Sequence, residues 1–196
     1  GHTTGYVERN QVNVRAIYTL DGPITTELGA SAQYGQLKGE GGLDDGHMWA
    51  GAVHMTNRWD NWLLATQISR YKYEVDEDYK DGKLVPMGAY DYAADVAADA
   101  WVPAISLSYL YETNQIPWLD SVRPYIEYSN IIKQESSFND SDLITLGAAW
   151  ARQGWYIYTD LAWSNGNYFV GNKGDFGANV NNERQYRFNI NFGYYF

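Results

Sequence analysis

Eight charged or titratable residues stand where alternation along extended segments sets them opposite apolar stripes: Arg15, Glu27, His54, Arg58, Arg123, Glu127, Asp160 and Arg187. Gathered on one wall, charges of both signs impose a transverse field that orients water and solutes, which is lumen chemistry rather than reaction chemistry. Arg123 with Glu127, and Asp160 with Arg187, can pair instead and merely stiffen the wall. Bond-making chemistry has little to stand on. The chain has no nucleophile elbow, no His–nucleophile pairing and no zinc motif. His2, His47 and His54 share no metal-ligand spacing, and cysteine is absent, so no metal and no cofactor are expected. Asp76-Glu77-Asp78 lacks the spaced ligands and Gly of a calcium loop. The chain is expected not to be an enzyme.

Only extended chain places those residues on one side of a wall. Residues 183–196 (ERQYRFNINFGYYF) carry Tyr186, Phe188, Ile190, Phe192, Tyr194 and Phe196 at even positions. Arg187, Asn189, Asn191, Gly193 and Tyr195 take the odd ones. Side chains alternate faces along a strand, so one face is apolar and aromatic while the other is largely polar. Such a ribbon meets either a second sheet or hydrocarbon, with the polar face then lining a wet lumen.

Eight further segments read as strands, at about Tyr6–Leu20, 25–37, 48–59, 61–75, 101–111, Ser121–Lys133, 143–153 and 154–164. Val12, Val14, Ala16, Tyr18 and Leu20 form a clear stripe in the first, and Trp101, Ile105, Leu107 and Tyr109 in the fifth. The fourth alternates weakly, and no facing is assigned to it. Pro103 lies near the start of the fifth, where a missing ladder donor is tolerable at an edge or end. At roughly 10–16 residues each, the strands exceed the usual ~5–6 and suit a tilted crossing of hydrocarbon.

Connections at 21–24, 60–61, 114–120 and 153–154 read as short, and those at 38–47, 76–99, 134–142 and 165–182 as longer. That alternation is the habit of outer-membrane barrels. Acidic residues such as Asp44, Asp45, Asp76, Asp95 and Asp140 gather in the longer set. They read as a solvated face or as a divalent-ion-bridged contact with lipopolysaccharide. Tyr (18) and Trp (8) are abundant. Tyr18, Trp59, Trp62, Trp101, Tyr128, Trp150, Trp155, Trp163 and Tyr194 fall mainly near strand ends, as membrane-interface girdles do. Mean hydropathy is -0.48, and no apolar run approaches the ~18 residues of a membrane helix. A net charge of -10 without a basic stripe excludes a nucleic-acid binder.

From about residue 118 onward, the runs SVRPYIEYSNI, ESSFNDSDLITLGAAW, GWYIYTDLAWSNGNYFVGN and RQYRFNINFGYYF resemble the C-terminal part of the phosphate-selective porin family of O and P type. The resemblance covers about two-fifths of the chain and is architectural before that. It implies an all-β, antiparallel up-and-down transmembrane β-barrel of sixteen strands, a homotrimer in the bacterial outer membrane. The implied function is passive diffusion of small hydrophilic solutes or ions. Phe192, Tyr194 and Phe196 match the terminal signal that the barrel-assembly machinery reads in such proteins. Outer-membrane lipid and lipopolysaccharide are the implied surroundings. The family's anion path uses Arg and Lys ladders, whereas this chain holds 14 Lys+Arg against 24 Asp+Glu, so phosphate preference is not carried over.

About nine strands are visible, and an intact barrel of this kind has an even number. Residues 1–196 are therefore expected to form a single, incomplete barrel region. Either a further strand lies within 83–98, or, the favoured expectation, strands from outside this chain complete the wall. The alternative to a channel is a small outer-membrane barrel whose loops 76–99 and 165–182 carry a binding or adhesion role.

Overall fold

The computed structural model describes residues 6–87, 94–166, 177–180 and 182–196. In chain order its strands are β1 (Tyr6–Leu20), β2 (Thr25–Gly39), β3 (Gly46–Trp59), β4 (Trp62–Glu74), β5 (Leu84–Met87) and β6 (Ala94–Ala97). They continue with β7 (Asp99–Tyr109), β8 (Tyr111–Glu112), β9 (Ser121–Lys133), β10 (Ser141–Arg152), β11 (Trp155–Asn165) and β12 (Arg184–Tyr194). Nine long strands lie side by side in the order β1-β2-β3-β4-β7-β9-β10-β11-β12, and every neighbouring pair is antiparallel. The protein is all-β, as its alternation predicts. Its sheet stays open: β1 and β12 are the two edges, and nine alternating strands leave both edges running in the same direction.

The two tightest turns, at 60–61 and 153–154, lie at the same end of the sheet. Asp60 (φ 48) and Gln153 (φ 49) adopt the left-handed conformation that two-residue hairpin turns require, with Asn61 and Gly154 following. The expected alternation of length is less regular than the sequence suggests. After β7 the chain breaks at Leu110 and re-pairs as β8 with β9, through Tyr111 opposite Val122 and Glu112 opposite Ser121. The remaining connection, 113–120, is longer than 40–45 or 134–140 at the opposite end.

Two local irregularities have clear causes. Pro103 sits in an interior strand rather than at an edge. It stands opposite Ile68 on β4, while the β7–β9 ladder skips Val102 and Pro103, since proline brings no N–H to that side. In β1, Asn10 and Gln11 together face Gly35 alone, with Asn10 in the left-handed region (φ 49). This bulge reverses the facing of everything before it. Tyr6 and Glu8 thus share a face with Gln11, Asn13 and Arg15.

The strand contemplated within 83–98 does not join the wall. β5 and β6 pair only with each other, in a separate ribbon; residues 88–93 lie outside the described residues. Val85, Val96 and Ala98 of this excursion form a buried cluster against Tyr73 and Val75. Tyr71 donates its hydroxyl to the Ala97 carbonyl (2.9 Å), and the Tyr73 N–H donates to the Ala98 carbonyl (2.7 Å). Tyr71 and Tyr73 are odd-numbered in β4, so the ribbon folds over the polar face at the long-loop end.

Candidate functional site

Register across the nine long strands separates two faces. One carries Val14, Val53, Ile105, Leu107, Ile126, Leu146, Leu161 and Ile190 through the middle of the strands. Aromatic belts flank this aliphatic band on the same face. Trp59 pairs with Trp62, Trp62 with Tyr109, and Trp155 with Tyr194 near the short turns; Tyr34 pairs with Trp49, and Trp163 with Tyr186, near the long loops. Tyr128 shares a rung with Trp163 and Tyr186 through Ile144, and stands opposite Ile105 on its other side. Among the described residues nothing covers the middle of this face, where Phe188, Ile190 and Phe192 are 62%, 64% and 64% exposed. At its short-turn margin Trp118 lies against Trp150, with ring centres 6.4 Å apart.

The weak alternation of the fourth strand now has a reason. Arg70 and Lys72 lie on the apolar side of β4, opposite Trp101 and Asp99. Arg70 tolerates that position because it lies over the rings of Trp49 (5.9 Å) and Trp101 (5.2 Å) and pairs with Asp99 at 2.6 Å. Lys72 and His47 both meet Glu74, at 3.2 and 2.6 Å. These charges sit at the rim, clear of the aliphatic band.

All eight residues singled out from the sequence lie on the opposite, polar face. Arg15 stands opposite Ser31, Arg58 opposite Leu63, and Arg123 opposite Ala149. Glu27 accepts a long hydrogen bond from the Thr56 hydroxyl (3.5 Å). The His54 ring lies over Gly29, where any Cβ would collide with it. The structure brings His54 and Glu127 together around a depression of about 330 Å³, which Gln67, Ser106, Ser129 and Thr145 also line. Arg123 and Glu127 form no ion pair with each other. They are four positions apart on one strand, about 13 Å along it. Asp160 is held by its rung partner Asn189, whose Nδ2 donates to Oδ1 at 2.9 Å, while Arg187 occupies the next rung opposite Ala162.

The terminal aromatics gather on the apolar side of the β12 edge. Trp155 packs on Phe192 (4.9 Å) and Tyr194 (4.8 Å), and Tyr194 meets Phe196 edge-on at 5.3 Å.

At the long-loop end the connections are tied to one another. The Tyr6 hydroxyl donates to the Asp44 carbonyl (2.8 Å) and accepts from the Asp76 N–H (2.7 Å). The Asp76 carboxylate accepts from the N–H groups of Asp44 (2.9 Å) and Asp78 (3.0 Å), which hold it below the usual carboxylate range. Farther along, the Asn139 N–H donates to the Ala178 carbonyl (3.1 Å) and its Nδ2 to the Asn179 carbonyl (2.7 Å). Asn179 is fully buried and returns a bond to the Asp140 carbonyl (2.6 Å). Lys83 beside the ribbon reaches Glu135 at 3.5 Å. Sequence reading put acidic residues in these loops but had no signal for their mutual ties, which depend on positions up to 70 residues apart.

Among the described residues, no group of three or more His, Asp or Glu could hold a metal ion. No helix of the described residues is long and apolar enough to cross a membrane. Comparison with protein-family models, with curated proteins and with solved structures finds no match to this chain.

Proposed function

We propose that this chain is part of the wall of a bacterial outer-membrane channel through which small hydrophilic solutes or ions diffuse passively, in a barrel of the phosphate-selective porin type. The observation that carries the reading is the bare aliphatic band held in register between two aromatic belts, with every singled-out charge on the other face. Hydrocarbon meets such a band without cost, and the rings suit its two boundaries. Charges on the polar face then line the lumen, and the ribbon β5–β6 narrows it from the long-loop side.

Open edges do not survive in lipid, so strands from outside this chain pair with β1 and β12. Because both edges run the same way, antiparallel closure takes an odd number of added strands. Sixteen less the nine present is seven, so the count implied by the resemblance meets that condition. On this reading Phe192, Tyr194 and Phe196 serve the barrel-assembly machinery, and the finished channel is a homotrimer surrounded by lipid and lipopolysaccharide.

The tied acidic loops favour a second reading, a small outer-membrane barrel that binds or adheres through its long-loop end. Planar-bilayer reconstitution of the assembled protein separates the two. Stepwise, open conductance supports the channel; a closed lumen sinks it in favour of the binding protein.

A further inference from the structure

The polar face is not uniformly polar. Near the short turns it carries a run of tyrosines: Tyr195 and Tyr156 with ring centres 4.8 Å apart, then Tyr156 and Tyr158 at 5.3 Å. Tyr125 follows two strands away, in a neighbouring rung. Two of these rings are pressed against the wall. The Tyr156 ring lies where a Cβ on Gly193 would be, and the Tyr125 ring where a Cβ on Gly147 would be. Each ring therefore lies along the sheet instead of standing up from it. Tyr158 and Tyr195 remain 41% and 69% exposed.

Planar polar groups flank the run. Asn191 stands opposite Tyr158, and the hydrogen-bonded pair Asp160–Asn189 lies one rung on. Charge nearby is balanced, with Arg123 and Arg187 set against Glu127 and Asp160 on the same face of β9–β12. A balanced wall favours neither an anion nor a cation. Aromatic faces flanked by amides and a carboxylate suit a solute with an apolar C–H face and equatorial hydroxyls.

We infer that this tyrosine run is a binding track for neutral oligosaccharides inside the lumen. Each sugar ring lays its C–H face on a tyrosine while its hydroxyls bond to Asp160, Asn189 and Asn191. The inference rests on the channel reading above, because only then does this face meet passing solute.

The test is current recording from the assembled channel in planar bilayers with maltohexaose added. Concentration-dependent interruption of the current at either voltage polarity is expected. Tyr158→Ala should weaken the apparent affinity about two- to tenfold, the equivalent of one lost aromatic contact. Tyr158→Phe keeps the ring and should match wild type. Tyr34→Ala, on the other face, should also match. A channel that conducts in steps but is unaffected by maltohexaose and cellohexaose overturns the track and leaves the channel reading standing. Block that is equally strong in Tyr158→Ala, with Tyr156→Ala also unchanged, likewise overturns the track. Absence of conductance overturns the channel reading and the track with it.

Discussion

The two faces of the sheet can be compared at their most extreme points. Where Val85, Val96 and Ala98 meet Tyr73, the polar face is covered, and nearby Leu37, Met48 and Ala100 on the same side are 3%, 3% and 0% exposed. On the other side, Phe188, Ile190 and Phe192 stay more than half exposed. A chain folding in water gains about 25 cal/mol for each Å² of apolar surface it hides. It would gain far more by laying its ribbon across the band than across a row of tyrosine hydroxyls. The molecule does the reverse. On the channel reading that is expected, because hydrocarbon covers the band and the only surface needing a protein lid is the wet one.

The strongest way to break this comparison is to charge the bare face. Ile190→Arg should cost about 2–4 kcal/mol of folding free energy in lipid, whereas Asn191→Arg, one residue away on the polar side, should change it by less than about 0.5 kcal/mol. Urea titration of the assembled protein in vesicles measures both, and equal effects would mean that the two faces see the same solvent.

A smaller perturbation attacks the covered region. Val85→Ala removes two methyl groups from the ribbon's seat and should loosen it by about 1–3 kcal/mol. Amide exchange at Ala97 and Ala98 should quicken and single-channel conductance should rise, with the wall itself unchanged. Tyr71→Phe is gentler, deleting one hydrogen bond to the Ala97 carbonyl at about 0.5–1.5 kcal/mol, and should move the same amides in the same direction but less.

The least effect comes from acid. The Asp76 carboxyl is held below its ordinary value by the amides of Asp44 and Asp78, so the charged form stabilises the loop tie. That contribution is present above the usual carboxylate pKa of about 4 and is lost as pH falls through the lowered value. Protection of the Asp44 and Asp78 amides, relative to their intrinsic exchange, should therefore fall only in acid, and Asp76→Ala should erase that pH dependence. Protection that stays flat down to pH 2 in wild type would count against the tie.

Much of the wall was legible in the sequence because period-two alternation is a local property. From Val12 onward the wall strands announce their facing through their own neighbours, the weakly alternating fourth strand excepted, and all eight lumen candidates landed on one side. Legibility ended where local pattern and tertiary partner disagree. Arg70 belongs on the apolar face only because Trp49 and Trp101 arrive from other strands to receive it. Tyr125 and Tyr156 look like ordinary strand tyrosines until Gly147 and Gly193 come opposite and let them lie down. The ribbon β5–β6 has the composition of a loop, and its place over Tyr71 and Tyr73 depends on contacts that no window of sequence contains.

The bulge at Asn10 works like a half-twist in a tape, turning the first few residues over while leaving the rest of the edge strand in phase. Without that extra residue, Tyr6 would point away from the loops it fastens, and neither Asp44 nor Asp76 could find its hydroxyl. Deleting one amino acid from an exposed strand margin would thus unlatch a loop some seventy positions downstream, a lesion that a survey of contacts near the deletion would never reveal.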